Sequence, residues 1–149
     1  MNIEMLIQSN TLDIAKKTTL NLILTNVQMA EKFNEILKEF DISAEQFNVL
    51  RILRGQKGQP ANMCLIQERM VAKTSNTTRL VDKLLLKGLV TRDICPDNRR
   101  KMNVMITNKG LEMLLELDPK VMEHEQQFAN QLSYDELIEL NRLMEKLRG

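Results

Sequence analysis

Apolar residues recur at three- and four-residue steps between positions 10 and 40, at Ile14, Leu20, Ile23, Leu24, Val27, Phe33, Ile36, Leu37 and Phe40. That spacing predicts one long helix. At 1.5 Å per residue it would reach about 45 Å, more than a small domain needs. Asp41, Ile42 and Ser43 end it, and Ser43 with Gln46 forms a capping-box pair that opens a second helix through Leu50, Ile52 and Leu53. Gly55–Pro60 reads as a loop. A short helix follows over Asn62–Met70, with Leu65, Ile66 and Met70 on its apolar side, then a tight connection at Val71–Lys73. Thr74–Gly88 predicts a further helix with Thr74 as N-cap, Gly88 as its stop and Leu80, Val81, Leu84 and Leu85 as its buried stripe.

The period then changes from helical to alternating. Val90, Arg92 and Ile94 oppose Thr91, Asp93 and Cys95, and Met102, Val104 and Ile106 face inward on a second strand. Between them Pro96–Lys101 reads as a polar turn with a basic tip. Thr107 caps a helix through Leu111, Leu114, Leu115 and Leu117, which Pro119 bends or restarts. Ser133 and Glu136 make a second capping box ahead of a final helix carrying Leu137, Leu140, Leu143, Met144 and Leu147. The expected fold is mainly α with a small β-hairpin wing, that is, a winged helix-turn-helix between longer flanking helices.

Composition narrows the class. Only 3% of the residues are aromatic, with no Trp, five Gly and three Pro, which argues against an all-β fold or a base-stacking platform. Charge adds more. The net charge is +1, yet residues 61–110 carry ten basic and four acidic side chains, while residues 111–149 carry four basic and nine acidic. A basic middle beside an acidic arm is the footprint of polyanion binding. Cys64 and Cys95 lie far apart, and with one histidine they make no usual zinc set, so no metal and no cofactor are expected. Cys64 is expected in the core and Cys95 accessible at the base of the wing. The first ten residues are too polar for a signal peptide, and no apolar run is long enough to span a bilayer. A cytoplasmic location and no membrane partner are therefore expected.

The helix over Thr74–Gly88 has the size to enter a DNA major groove, which is about 12 Å wide. Ser75, Asn76, Thr77, Thr78 and Arg79 at its leading end supply side chains that read base edges, and Lys73 and Lys83 lie where phosphates would pass. Asn98, Arg99, Arg100 and Lys101 form the wing's contribution, since arginine is favoured in a narrow minor groove. Polar helix and basic hairpin stand about 20 residues apart, in the order a winged helix requires.

These residues resemble the MarR family of bacterial winged helix-turn-helix regulators. The resemblance rests on the run Thr74–Gly110, with "TRLVDKL", "KGLV", a basic wing, an alternating strand and the "TxxG" of Thr107–Gly110. It departs at the wing, where the family usually reads Asp-x-Arg nine residues before the Thr. Counting back from Thr107 reaches Asn98, not Asp97, and Arg100 stands at the arginine position. Either Asp97 and Asn98 have exchanged roles or the turn holds one extra residue. The resemblance implies a homodimer that represses transcription by binding double-stranded DNA at a pseudo-palindromic operator. Residues 10–40 and 111–149 would then be dimerisation helices, and 43–110 the DNA-binding domain. It also implies a small amphipathic or phenolic effector, bound between the dimerisation helices and the reading domain. Helix faces around Phe47 and Leu50 would be its walls or plain core. The family's redox mechanism, through a cysteine in the first helix, does not transfer, because none stands there.

The alternative is a winged-helix protein–protein interaction module, or an antirepressor without DNA binding, which would be free to replace the basic wing with apolar surface. No enzyme is expected: GxSxG, P-loop and HExxH motifs are absent from the sequence, and His124 sits between Glu123 and Glu125, where local pairing is expected.

Overall fold

The computed structural model describes residues 2–149. Its elements run α1 (Ile3–Leu6), α2 (Ile14–Lys38), α3 (Ala44–Gly55), α4 (Met63–Arg69), α5 (Thr77–Leu86), β1 (Val90–Cys95), β2 (Asn98–Ile106), α6 (Asn108–Ala129) and α7 (Tyr134–Arg148). The architecture is mainly helical with a two-stranded antiparallel hairpin, as the residue pattern implied.

Polar caps set the helix ends. Asp13 caps α2, Thr107 caps α6, and the Ser43–Gln46 and Ser133–Glu136 capping boxes open α3 and α7. Two ends differ from expectation. The long first helix starts at Ile14 rather than residue 10, and a separate turn of helix, α1, precedes it with Ile3 buried. Lys17 of α2 pairs with Glu4 of α1 at 2.9 Å and holds that carboxyl below its ordinary pKa by hydrogen bonding. Helix α5 starts at Thr77 and its N-cap is Asn76, not Thr74. At the other end Gly88 takes φ 71°, the left-handed conformation that closes a helix without a Cβ clash. Helix α6 does not restart at Pro119 but runs unbroken from Asn108 to Ala129.

The core joins α3, α4, α5, the root of the hairpin and the inner side of α6. Val49, Leu50, Ile66, Val81, Leu84, Val104, Leu114 and Leu117 are fully buried there. Leu50 is therefore core, as one of its two readings had it. Ala61, in the loop after α3, pairs with Val104 through both backbone bonds and extends the hairpin. In the hairpin itself Val90 opposes Ile106, Arg92 opposes Val104 and Ile94 opposes Met102.

Helix α4 corrects one expectation. Cys64 is exposed, because Ile66 and Met70 set the buried side and a residue two positions before Ile66 points about 200° away from it. Cys95 is half-buried and immediately precedes the hairpin turn, so it lies at the tip of the wing rather than its base. His124 also differs: it makes no acidic pair but is buried, stacked 5.5 Å from Phe33 and edge-on to Phe128 at 5.2 Å.

One ion pair ties the central helices to α6. Arg54 of α3 donates two bonds to Asp118, at 2.8 and 3.0 Å. Both side chains are partly exposed, so the pair is worth about 1 kcal/mol. Arg54→Ala is expected to lower the unfolding free energy read from a urea titration by that amount, and so to lower the midpoint. An unchanged midpoint would mean that the pair holds nothing.

Candidate nucleic-acid interface

The leading end of α5 is built by hydrogen bonds to its own backbone and to α4. Asn76 Oδ1 accepts from the Arg79 backbone N–H at 3.1 Å, which leaves the side-chain amide N–H of Asn76 as its outward donor. Thr77 does not face outward with its neighbours. It is buried, and its hydroxyl bonds Gln67 of α4. The same Gln67 donates through Nε2 to the Lys73 carbonyl at 2.6 Å, so one side chain fixes both the α4–α5 turn and the first residue of α5. Ser75 is half-buried in that turn. Thr78, Arg79 and Lys83 are exposed, with Arg79 and Lys83 one turn apart on the same face. Lys73 is exposed, with Nζ bonded to the Glu68 carbonyl.

The wing is tighter than the sequence predicts. Its turn is the two residues Pro96–Asp97, and Cys95 pairs with Asn98. Arg99, Arg100 and Lys101 therefore lie on β2, opposite an irregularity in the ladder at Ile94/Cys95, and all three are exposed. Asn98 Oδ1 accepts from the Arg100 backbone N–H at 3.0 Å. Asn98 thus supports Arg100 through its backbone, from the position where the family carries aspartate.

The structure sorts the ten basic residues of the middle segment into two sets. Arg92 of β1 pairs with Asp82 of α5 at 2.6 Å and locks the wing to that helix. Lys87 bonds Gln46 and the Asp41 carbonyl, and Lys109 bonds the Lys87 carbonyl. With Lys73 these cations hold the fold. Among the described residues the side chains of Arg69, Arg79, Lys83, Arg99, Arg100 and Lys101 have no hydrogen-bonded or ionic partner. Arg69, at the end of α4, was not singled out from the sequence, and its only signal there was charge. An arginine held by nothing in its own chain is available to a phosphate. No group of three or more His, Cys, Asp and Glu residues placed to hold a metal ion occurs among the described residues. No helix among them is long and apolar enough to cross a membrane.

A cavity of about 450 Å³ lies behind this surface. Phe33 of α2, Phe47 and Arg51 of α3 and His124 of α6 line it, together with Met70–Ala72 at the start of the α4–α5 turn. The sequence places Phe47 on a wall or in the core, and it serves both: buried, it also faces this space. The cavity was not legible in the sequence, because its walls come from four separate segments.

The MarR family model matches residues 42–102. A MarR transcription factor from Planctomyces limnophilus is 34% identical, over 91% of this chain and 98% of that one, with a TM-score of 0.71. The transcriptional repressor MprA of Escherichia coli is 27% identical over 120 residues, 80% of this chain and 68% of MprA. BpsR of Bordetella bronchiseptica, whose DNA binding is regulated by 6-hydroxynicotinic acid, superimposes with a TM-score of 0.80 over 93% of this chain and 98% of its own, at 19% identity. With its hairpin wing, its six unpartnered cations and a relative one-third identical along almost its whole length, the chain belongs to the MarR family of transcriptional regulators.

Proposed function

We propose that the protein is a homodimeric repressor that binds double-stranded DNA at a pseudo-palindromic operator and releases it on binding a small amphipathic effector. The observation that carries this reading is the set of exposed cations with no partner among the described residues, on α4, α5 and β2. In this reading α5 enters the major groove. Thr78 and Arg79 reach base edges, and Asn76 reaches them through its free amide N–H. Lys83, Ser75 and Arg69 meet phosphates, Lys73 joins them only by exchanging its bond to the Glu68 carbonyl for one, and Arg99, Arg100 and Lys101 follow the adjacent minor groove with Asn98 bracing the loop. Thr77 acts from behind, through Gln67.

Dimerisation is supported by the flanking helices. Helix α7 buries no residue, and its Leu140, Leu143 and Leu147 are 39%, 44% and 67% exposed. Ile14, Ile23 and Val27 of α2 are likewise open. Such stripes cost free energy in water unless a second copy covers them. Two-fold symmetry then sets half-sites about one helical turn apart. The aromatic walls of the cavity support it as the effector site in this reading.

The test is fluorescence anisotropy with a duplex from upstream of the protein's own gene, beside a scrambled duplex and across a salt series. The expected result is preference for the natural duplex, with a slope of about −0.9 per phosphate neutralised. No binding to either duplex at low salt overturns the reading in favour of an interaction module. Arg79→Ala is expected to relax base discrimination at one position per half-site by about 1–3 kcal/mol. Selection from a random duplex pool checks this, and the same motif for both proteins would remove Arg79 from base reading.

A further inference from the structure

The proposed effector cavity and the turn that leads into α5 share one side chain. Asn48 of α3 lines the cavity beside Phe47 and Arg51. Its Oδ1 accepts from the backbone N–H of Val71 at 2.9 Å, across 23 residues of chain. Val71 is the first residue after α4's C-cap, Met70, and opens the turn that carries α5. Its own side chain is 88% exposed, so apolar packing does not hold this point of the turn. The remaining side-chain bonds to the turn's backbone come from Gln67 within α4 and move with it. Among the described residues, Asn48 is the side chain that ties the turn's backbone to α3, and that bond stands at the cavity wall.

We infer that Asn48 is the positioning residue that couples cavity occupancy to α5: a ligand lodged against α3 draws the Asn48 amide away from Val71 and frees the α4–α5 turn. This rests on the effector reading of the cavity. The lining chemistry says what would do it. Phe33, Phe47 and His124 offer aromatic faces, and Arg51 offers a guanidinium to an anion. An aromatic carboxylate matches both, and its oxygens are competing acceptors for the Val71 N–H and for the Asn48 amide N–H while its ring displaces Val71. A ligand shifts a conformational equilibrium only by its differential contacts with the two states, and the Asn48–Val71 bond is a contact that one state has and the other lacks.

The experiment uses the full chain as wild type, Asn48→Ala and Asn48→Asp, with 2-naphthoate as probe. Amide hydrogen exchange at Val71 and anisotropy with the upstream duplex are read together. Asn48→Ala is expected to speed exchange at Val71 about tenfold or more, leave core amides such as Leu50 and Leu114 unchanged, and weaken duplex binding about three- to tenfold. Asn48→Asp keeps the acceptor and restores both. Naphthoate is expected to speed Val71 exchange in the wild type and to lower its duplex affinity, with neither effect in Asn48→Ala. An unchanged Val71 rate in Asn48→Ala, or in the wild type with saturating naphthoate, overturns the coupling, as does an equal loss of duplex affinity in wild type and Asn48→Ala. If the wild type binds no duplex while Val71 exchange still answers to naphthoate, the DNA-binding reading fails and the coupling stands.

Discussion

Replacing Arg99 and Arg100 together with alanine is expected to weaken binding of the upstream duplex on the order of a hundredfold at physiological salt and to flatten its salt dependence. Both side chains are exposed on β2, and neither has a partner among the described residues. Each can therefore neutralise one phosphate without first breaking an internal pair. In a two-fold dimer the double substitution removes four such contacts, so the slope of log K against log salt should fall by about 3.6. The fold should not notice. The bond that shapes the wing runs from the Arg100 backbone N–H to Asn98, and alanine keeps that N–H. Sedimentation should return the same assembly state as wild type and urea the same midpoint. An unchanged affinity and slope would take the wing out of the interface, and a changed assembly state would move its role there.

Gly110→Ala is expected to destabilise the protein by about 3 kcal/mol, the upper end of the cost of forcing atoms into a packed interior. A Cβ built at Gly110 falls 2.5 Å from the Leu89 carbonyl oxygen and 2.7 Å from Ile106 Cγ1. The first of these is backbone, and that oxygen already accepts from the Thr107 N–H at 3.0 Å. Relief therefore requires the start of α6 to lift away from the root of the wing. Urea unfolding measures the loss. Because the displaced backbone also carries β1, duplex affinity should fall further than the folded fraction explains. An unfolding free energy within about 0.5 kcal/mol of wild type would mean that the hairpin root yields more easily than its packing indicates.

Much of this was legible along the chain. The two capping boxes, the stop at Gly88, the strand alternation and the Thr107 cap rest on contacts within a few residues, and such contacts appear as spacing. The polar leading end of α5 and the basic wing were legible for the same reason. Residues that failed did so where a distant neighbour intervened. Thr77 reads like Thr78 in the sequence, yet Gln67, ten residues earlier, takes its hydroxyl inward. Thr74 and Asn76 are both good caps, and the turn geometry selected Asn76. His124 sits among glutamates in the chain, but Phe33, about ninety residues earlier, claims its ring.

Local pattern therefore settled which segments are helix or strand, where most of them stop and which stretch carries the excess of positive charge, because backbone periods and end caps are short-range physics. It could not divide the ten cations of the middle segment by role. Arg92 and Arg99 are the same residue type in the same hairpin, and only the arrival of Asp82 from α5 makes one of them structural. Nor could it show the cavity or the Asn48–Val71 bond, whose partners meet through the packing of α2, α3, α4 and α6. Charge is a property of composition, but whether a charge is free for a ligand depends on what the fold places within about 4 Å of it.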